Sequence, residues 1–277
     1  MSESGSQRSN LTLRLLTAAM VVPLLLYALL DGPPWLFPSM TLLVCGLGAH
    51  ELYAMVAPDH PITRGWGLVA SLALCAQVAG LFPPTLLIPL LLLLVLGGFL
   101  TSLIRVEPVN QVALRAGWAI AGPLYLGALF GVIALLFGSY PNGGRWVLLT
   151  MLYAFWSDTF GYFVGRRFGK HPLYPAVSPK KTVEGSIGGF IGALLGSLVA
   201  HFWFLPALPL LDALILAIVA AAAGQAGDLC ESLIKRSTGV KDSGTLLPGH
   251  GGILDRVDAL LFSAAIVYLY VAWRFPL

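Results

Sequence analysis

Charged residues are scarce in this 277-residue chain, where Asp, Glu, Lys and Arg together make up 10% of the sequence. A soluble globular domain carries about 25%, so the composition excludes an ordinary soluble enzyme or binding domain. Cysteine is also rare. Cys45, Cys75 and Cys230 are an odd number in apolar surroundings, which argues against a disulfide framework. The net charge of +3 is small, and we expect no nucleic-acid partner.

Apolar residues are correspondingly abundant. They form 57% of the chain, and the mean hydropathy is +0.84. Many of them lie in runs of about 20 residues, the length needed to cross the hydrocarbon core of a bilayer. The sequence therefore predicts an all-α, polytopic integral membrane protein that follows a disordered tail at residues 1–10. We place about nine transmembrane spans, at residues 11–30, 36–57, 66–82, 84–104, 117–138, 146–164, 186–205, 209–228 and 259–275.

Basic residues indicate the orientation of these spans. With the N-terminus in the cytoplasm, nine spans place 14 of the 16 Lys and Arg residues on the inner side and leave only Arg145 and Arg274 outside. Positive charge concentrates in cytoplasmic loops, so this arrangement fits well. It also predicts that the polar segment near residues 228–258 faces the cytoplasm.

This segment is the most polar part of the chain. Asp228, Glu231 and Lys235 follow one another at helical spacing, so a helix presents them on one face together with Ser232. Ionisable groups near a bilayer are expensive and usually functional. A charged cytoplasmic loop is the alternative that spacing alone leaves about equally open.

A second helix is expected to begin near Ile253, and it places Asp255 and Asp258 one turn apart on one face. The glycine-rich turn Thr245–Gly252 precedes it, and glycine lets the backbone approach a ligand closely. Two helices that present carboxylates, with cations and a turn between them, predict a site for a divalent metal and a polyphosphate. Hard oxygen ligands favour magnesium, shared with substrate phosphates.

Another polar cluster lies between residues 157 and 185. Asp158 falls inside the sixth apolar run, so we expect it to face a polar cavity or a cation. Arg166 and Arg167 are as well explained by attraction to anionic lipid headgroups as by a role with substrate. The segment Ser178–Thr182, which reads SPKKT, is more specific because two lysines follow a stiff Ser-Pro pair.

The residues of these two segments resemble the signature of the phosphatidate cytidylyltransferase (CDP-diacylglycerol synthase) family. The resemblance covers roughly the C-terminal half of the chain, and it departs from the family pattern at Gly161 and Val183, which affect packing more than chemistry. The residues that carry it are Asp158, Tyr162, Gly165, Arg166, Ser178–Gly185, Ser232, Lys235, Arg236, Lys241, Asp242, Pro248–Gly252, Asp255, Arg256 and Asp258.

The resemblance implies a nucleotidyltransferase that converts phosphatidate and CTP into CDP-diacylglycerol and pyrophosphate. It implies Mg²⁺ as a cofactor, leaves open a second, monovalent cation and a homodimer, and suggests a bacterial inner-membrane enzyme in contact with membrane lipids. Residues 11–277 would form one transmembrane domain, with N-terminal helices at 11–138 and a catalytic half at 146–277.

The residues can be assigned roles in that chemistry. The expected metal ligands are Asp228 and Asp255, with Asp258 as a third ligand or a partner of the ligands, and Lys235 and Arg236 are expected to hold a phosphate group. The residues expected to bind substrate are Ser178, Lys180, Lys181, Thr182, Ser232, Lys241, His250, Gly251 and Gly252.

Other interpretations stay open. The acceptor could be an isoprenoid lipid phosphate or a polyprenol, since nothing in the sequence reports the lipid chain. A secondary transporter is a non-enzyme alternative, but its site is expected between two related halves, and here the charges cluster in one half. His50 and Glu51 lie in the second span and are expected to pair with each other or with a loop cation, with a functional role the less favoured interpretation.

Overall fold

The computed structural model describes residues 19–246 and 251–276, which lie mostly in helices. The helices are α1 (Ala19–Leu30), α2 (Leu36–Val56), α3 (Pro61–Val78), α4 (Leu87–Ile104), α5 (Val112–Gly122), α6 (Leu129–Ser139), α7 (Gly143–Phe168), α8 (Val183–Val199), α9 (Leu210–Ser237) and α10 (Leu254–Arg274). Two short π-helical segments, Pro123–Ala128 and Ala200–Phe204, continue α5 and α8.

Seven helices within the described residues are long and apolar enough to cross a membrane. They are α2, α4, the continuous rod from α5 to α6, and α7 to α10. The prediction of an all-α, multi-pass membrane protein is therefore confirmed. The described part of α1 and the whole of α3 are not among the seven, so the count of nine spans and the cytoplasmic N-terminus stay predictions.

Helices α7, α9 and α10 are longer than the spans predicted for them. Helix α9 has 28 residues and is about 42 Å long, whereas the hydrocarbon core is about 30 Å thick. The extra turns at its C-terminal end carry the polar residues from Asp228 to Ser237. The predicted helix after Gly227 is thus the end of the preceding span and not a separate element, which aims the polar face at the membrane surface.

Helices α7 and α8 pack against each other along a strip of glycines. Gly188 lies against Val164, Gly192 lies against the Trp156 backbone, and Gly196 lies against Leu152. A Cβ at residue 192 would stand 2.5 Å from the Trp156 carbonyl oxygen, so only glycine permits this approach. The glycine ladder therefore serves packing within the chain, one of the two uses that the sequence left open.

A short antiparallel hairpin joins the two helices, with β1 at Pro172–Tyr174 and β2 at Ser178–Thr182. It was not predicted, because three- and five-residue strands bounded by prolines give little periodic signal. The side chain of Thr182 ends the hairpin by accepting a hydrogen bond from Gly185 N at 3.1 Å, as the N-cap of α8. Glu184 accepts hydrogen bonds from the backbone N–H groups of Lys170 and His171, at 3.0 and 3.2 Å.

Candidate active site

A cavity of about 480 Å³ opens between α7, the hairpin, the start of α8 and the polar end of α9. Its lining brings together residues from both polar segments of the sequence. Asp158, which was predicted to face a polar cavity or a cation, lines this cavity together with Lys181. The residues with a predicted or open functional role that line it are Asp158, Arg166, Ser178, Lys180, Lys181, Thr182 and Asp228.

The cavity cluster, which we define as Asp158, Lys180, Lys181 and Asp228, has an ion pair at its centre. The Lys181 ammonium donates to Asp228 Oδ2 across 47 residues of sequence. The two side chains are 30% and 24% exposed, so water and small ions reach both. Lys180 is exposed and lines the same cavity, so the hairpin brings two cations to the carboxylates of α7 and α9.

Gln225, which the sequence analysis did not single out, connects three helices at the cavity wall. Its Oε1 accepts a hydrogen bond from Ser186 Oγ, and its Nε2 donates to the Ser186 carbonyl at 3.2 Å. Nε2 also lies 3.5 Å from Ser157 Oγ of α7. The sequence signal that could have identified Gln225 was a polar amide within an apolar run, one helical turn before Asp228. The network fixes α9 against α7 and α8.

A second group of ionisable residues, the buried cluster, consists of Glu51, Glu231, Lys235 and Asp255. The Lys235 ammonium pairs with Glu231 one turn earlier in α9 and with Asp255 Oδ1 at 2.6 Å. The side chains of Lys235 and Asp255 are 11% and 10% exposed, and that of Glu231 is fully buried. The predicted shared face of α9 is confirmed for Glu231, Ser232 and Lys235, which are all buried, whereas Asp228 one turn earlier is partly exposed and lines the cavity.

Asp255 also holds the loop before α10. Its Oδ2 accepts hydrogen bonds from Ser243 N at 3.1 Å and from Gly252 N at 3.0 Å. Gly251 has a φ of +82°, a conformation that favours glycine, and a side chain there would approach Asp255 Oδ2. Both carboxylate oxygens of Asp255 therefore have protein partners, and its assignment as a metal ligand stays a prediction.

Asp258 lies deep between the two clusters. It is buried on α10, and its Oδ1 accepts a hydrogen bond from Ala259 N at 2.7 Å. It is close enough to interact electrostatically with Asp228, Glu231 and Asp158. Four carboxylates thus share one polar region, and the buried Glu231 Oε1 has no hydrogen-bond partner among the described residues.

This donor set fits a hard divalent cation in chemical type, because carboxylate oxygens are the ligands that magnesium prefers. Within residues 19–246 and 251–276, however, no group of three or more His, Cys, Asp or Glu residues stands ready to hold a metal ion. The Lys181 ammonium now occupies one oxygen of Asp228. A cation at Asp228 would take over the charge compensation that Lys181 supplies.

The remaining predicted residues have more varied positions. Arg236 donates to the carbonyls of Val177 and Val240, at 3.4 and 3.2 Å, and so attaches the hairpin to the end of α9. Lys241 is exposed in the following loop. The prediction for His250 lies outside the described residues.

Two residues from the N-terminal helices reach the polar region, although the sequence resemblance did not extend to that half. Glu51 of α2 accepts three hydrogen bonds from the loop before α10 and from its first residues. Tyr125, on the π-helical segment after α5, has a buried hydroxyl without a hydrogen-bond partner in the described part of the chain. This hydroxyl interacts electrostatically with Asp258 and Glu231. A carboxylate inside a predicted span was the signal for Glu51; Tyr125 gave none.

The similarity to known proteins covers more of the chain than the two polar segments that carry the resemblance. The profile of the cytidylyltransferase family matches residues 12–273. A phosphatidate cytidylyltransferase from Brucella abortus (strain 9-941) is 41% identical over 182 residues, which are 63% of this chain and 64% of that protein. Another, from Staphylococcus saprophyticus, is 46% identical over 127 residues, 46% of this chain and 49% of that protein. The chain thus covers less than two thirds of the length of these relatives.

Proposed function

Because the chain belongs to the cytidylyltransferase family, we propose that it transfers the cytidylyl group of CTP to phosphatidate, with release of pyrophosphate. The observation that carries the proposal is the cavity cluster at one end of a membrane-spanning bundle, in which Lys181 of the hairpin pairs with Asp228 while Lys180 and Asp158 line the same cavity. Relatives named phosphatidate cytidylyltransferase support the choice of substrates. A site between transmembrane helices suits a lipid acceptor.

The reaction requires little proton chemistry from the protein. A phosphate monoester has a second pKa of about 6, so the phosphatidate oxygen is largely ionised before it attacks the α-phosphorus of CTP. A new P–O bond forms to that oxygen, and the bond from the α-phosphorus to the bridging oxygen breaks as pyrophosphate leaves. The main obstacle is repulsion between two anions, so catalysis depends on alignment and charge neutralisation.

The residues of the cavity supply both the alignment and the charge neutralisation. Lys180 and Lys181 lie on a hairpin fixed by the Thr182 cap and by Arg236, so their positive charges are held at the cavity and neutralise a phosphate group. Ser178 and Thr182 line the same wall. An anion that binds Lys181 competes with Asp228, and the ion pair then opens. We assign the carboxylate so released, together with Asp255 and Asp258, to Mg²⁺, which would supply further charge neutralisation on the phosphates; Asp255 would have to give up its contact with Lys235 to take part.

The orientation of the site completes the proposal. In a bacterial inner membrane the site faces the cytoplasm, because the nine-span arrangement places 14 of the 16 basic residues on the same side as the site. An impermeant thiol reagent should then label a Lys241→Cys variant, in a Cys230→Ser background, in inverted membrane vesicles and not in intact cells. The reverse pattern would contradict this orientation.

The test of function uses the full-length protein in mixed detergent–lipid micelles. With CTP, Mg²⁺ and phosphatidate, we expect pyrophosphate and CDP-diacylglycerol to form in equal amounts, measured by a coupled assay and by mass spectrometry. Omission of phosphatidate should stop pyrophosphate release. Parallel reactions with a polyprenyl phosphate and with a polyprenol test the other acceptors. Product from either of these and none from phosphatidate would overturn the proposed substrate.

A further inference from the structure

Glu51 is a carboxylate in the second helix, remote in sequence from every residue assigned to the site. It is 2% exposed and lies among Ala49, Leu52 and Tyr53, all of which are buried as well. A lone buried carboxylate is costly unless it is paired or hydrogen-bonded. The residues that satisfy it therefore indicate its role.

Its hydrogen-bond partners come from the loop between α9 and α10 and from the first residue of α10. Glu51 Oε1 accepts a hydrogen bond from Ile253 N at 3.0 Å, and Oε2 accepts from Leu254 N at 2.9 Å. Oε2 also accepts from Ser243 Oγ at 3.0 Å. These contacts span about 200 residues of sequence and connect α2 directly to the first turn of α10.

Helix α10 needs such a partner. Its N-cap residue, Ile253, provides no side-chain hydrogen bond, so the first N–H groups of the helix depend on other acceptors. A carboxylate supplies them and also interacts favourably with the positive end of the helix dipole. Glu51 therefore caps α10 from another helix, and the cap carries the negative charge that a helix start favours.

The close fit at two glycines supports this role. A Cβ on Gly244 would stand 2.5 Å from Glu51 Oε1, and one on Gly252 would stand 2.6 Å from Oε2. Both distances are far too short for a side chain. The backbone of the loop can approach Glu51 at these positions only because they are glycine.

Asp255 binds the same loop from the other side, through Ser243 N and Gly252 N. Ser243 thus donates its hydroxyl to Glu51 and its amide to Asp255. The two carboxylates hold both ends of the loop together, and Asp255 in turn holds Lys235 at 2.6 Å. Glu51 is therefore linked to Lys235 through Ser243 and Asp255, with a hydrogen bond or ion pair at each step.

From this geometry we infer that Glu51 is a positioning residue for the active site. It fixes the start of α10, and through Ser243 and Gly252 it orients Asp255 and Lys235 for the reaction. The N-terminal helices thus contribute more than membrane anchoring. The inference rests on the proposed function where turnover is concerned, whereas the structural contact itself is independent of it.

The test replaces Glu51 with glutamine, which keeps the shape but puts an N–H donor where the carboxylate accepts. The loop and the start of α10 lose a charged acceptor, so we expect turnover to fall about 10- to 100-fold. The control is Thr41→Val on the same helix, which removes another buried hydrogen bond, to Phe37 O at 3.0 Å. Turnover of the control should match that of the unsubstituted protein.

Hydrogen exchange followed by mass spectrometry separates positioning from general destabilisation. In Glu51→Gln, amide exchange should accelerate at residues 252–258 and stay unchanged in α4 and α8. Glu51→Asp, which keeps the charge, should recover part of the turnover and of the protection. Unchanged turnover in Glu51→Gln, or exchange accelerated along the whole chain, would overturn the inference. A protein that never forms product would refute the proposed function, while the local exchange result would still test the cap.

Discussion

The cavity cluster and the buried cluster contain the same kinds of residue but differ in exposure and partners. In the cavity cluster, Lys181 and Asp228 are 30% and 24% exposed and form an ion pair in the wall of an open cavity. In the buried cluster, Lys235 and Asp255 are about 10% exposed and bind further protein groups. One ion pair is accessible to an incoming anion, and the other is closed to it.

This difference separates two tasks that the sequence presented as one. An exposed ion pair contributes little to stability, so it opens at small cost when a phosphate takes the lysine. A buried pair is expensive to break and suits the maintenance of a fixed geometry. We therefore interpret the cavity cluster as the place where substrates bind, and the buried cluster as the frame that orients the loop and α10.

The largest expected effect comes from removal of divalent metal, which acts on the cavity cluster. An excess of chelator should reduce product formation to background, because the repulsion between CTP and phosphatidate is then no longer offset. Readdition of Mg²⁺ should restore it. The measurement is pyrophosphate release in micelles; turnover that persists with chelator present would contradict the assignment of metal to the carboxylates.

Asp228→Asn is expected to lower turnover by about 100- to 1,000-fold, the range for loss of one charge-stabilising group. The matched control is Asp212→Asn on the same helix α9, since Asp212 accepts a hydrogen bond from Tyr270 far from the cavity. Steady-state kinetics of both variants provide the comparison. Equal activity of the two would remove Asp228 from the reaction.

Replacement of each lysine by methionine tests the comparison directly. Lys235→Met leaves Glu231 and Asp255 without their shared cation and should cost about 3–5 kcal/mol of stability. Lys181→Met should cost less than about 1 kcal/mol but should raise the KM for a phosphate-bearing substrate.

Denaturant unfolding in detergent and substrate titrations measure the two effects. A similar loss of stability in both lysine variants would mean that the two ion pairs contribute equally to the stability of the fold. The distinction between the clusters would then fail.

The smallest expected effect concerns Tyr125→Phe. Its hydroxyl has no hydrogen-bond partner among the described residues and is close enough to the carboxylates of Asp258 and Glu231 to interact with them electrostatically. If the hydroxyl serves substrate, turnover should fall about two- to tenfold, as expected from one hydrogen bond, while stability stays equal or rises. Full activity with higher stability would show that the hydroxyl has no role in the reaction.

Some of this arrangement followed from local pattern. The long apolar runs predicted the multi-pass helical fold, and the helical spacing of Glu231, Ser232 and Lys235 predicted their common face. The partners of these residues did not follow. The roles predicted for Lys235 and Asp255, with a phosphate and a metal, stay predictions, but their contact with each other was not foreseen, nor was the binding of Arg236 to backbone carbonyls of the hairpin and loop.

The hairpin shows why such pairings escape prediction. Its strands are too short for a period to appear, and its position depends on the close approach of α7 and α8 along their glycines. Lys181 meets Asp228 only because that approach turns the hairpin over the end of α9.

The sequence by itself determined that this chain is an integral membrane protein and that its candidate functional residues lie in two polar segments, because hydropathy and helical spacing are local properties. Only the tertiary structure decided which charge meets which, and that Glu51 of the second helix caps the tenth. Such contacts depend on how helices pack, and two residues about 200 positions apart carry no mark of each other in a single sequence.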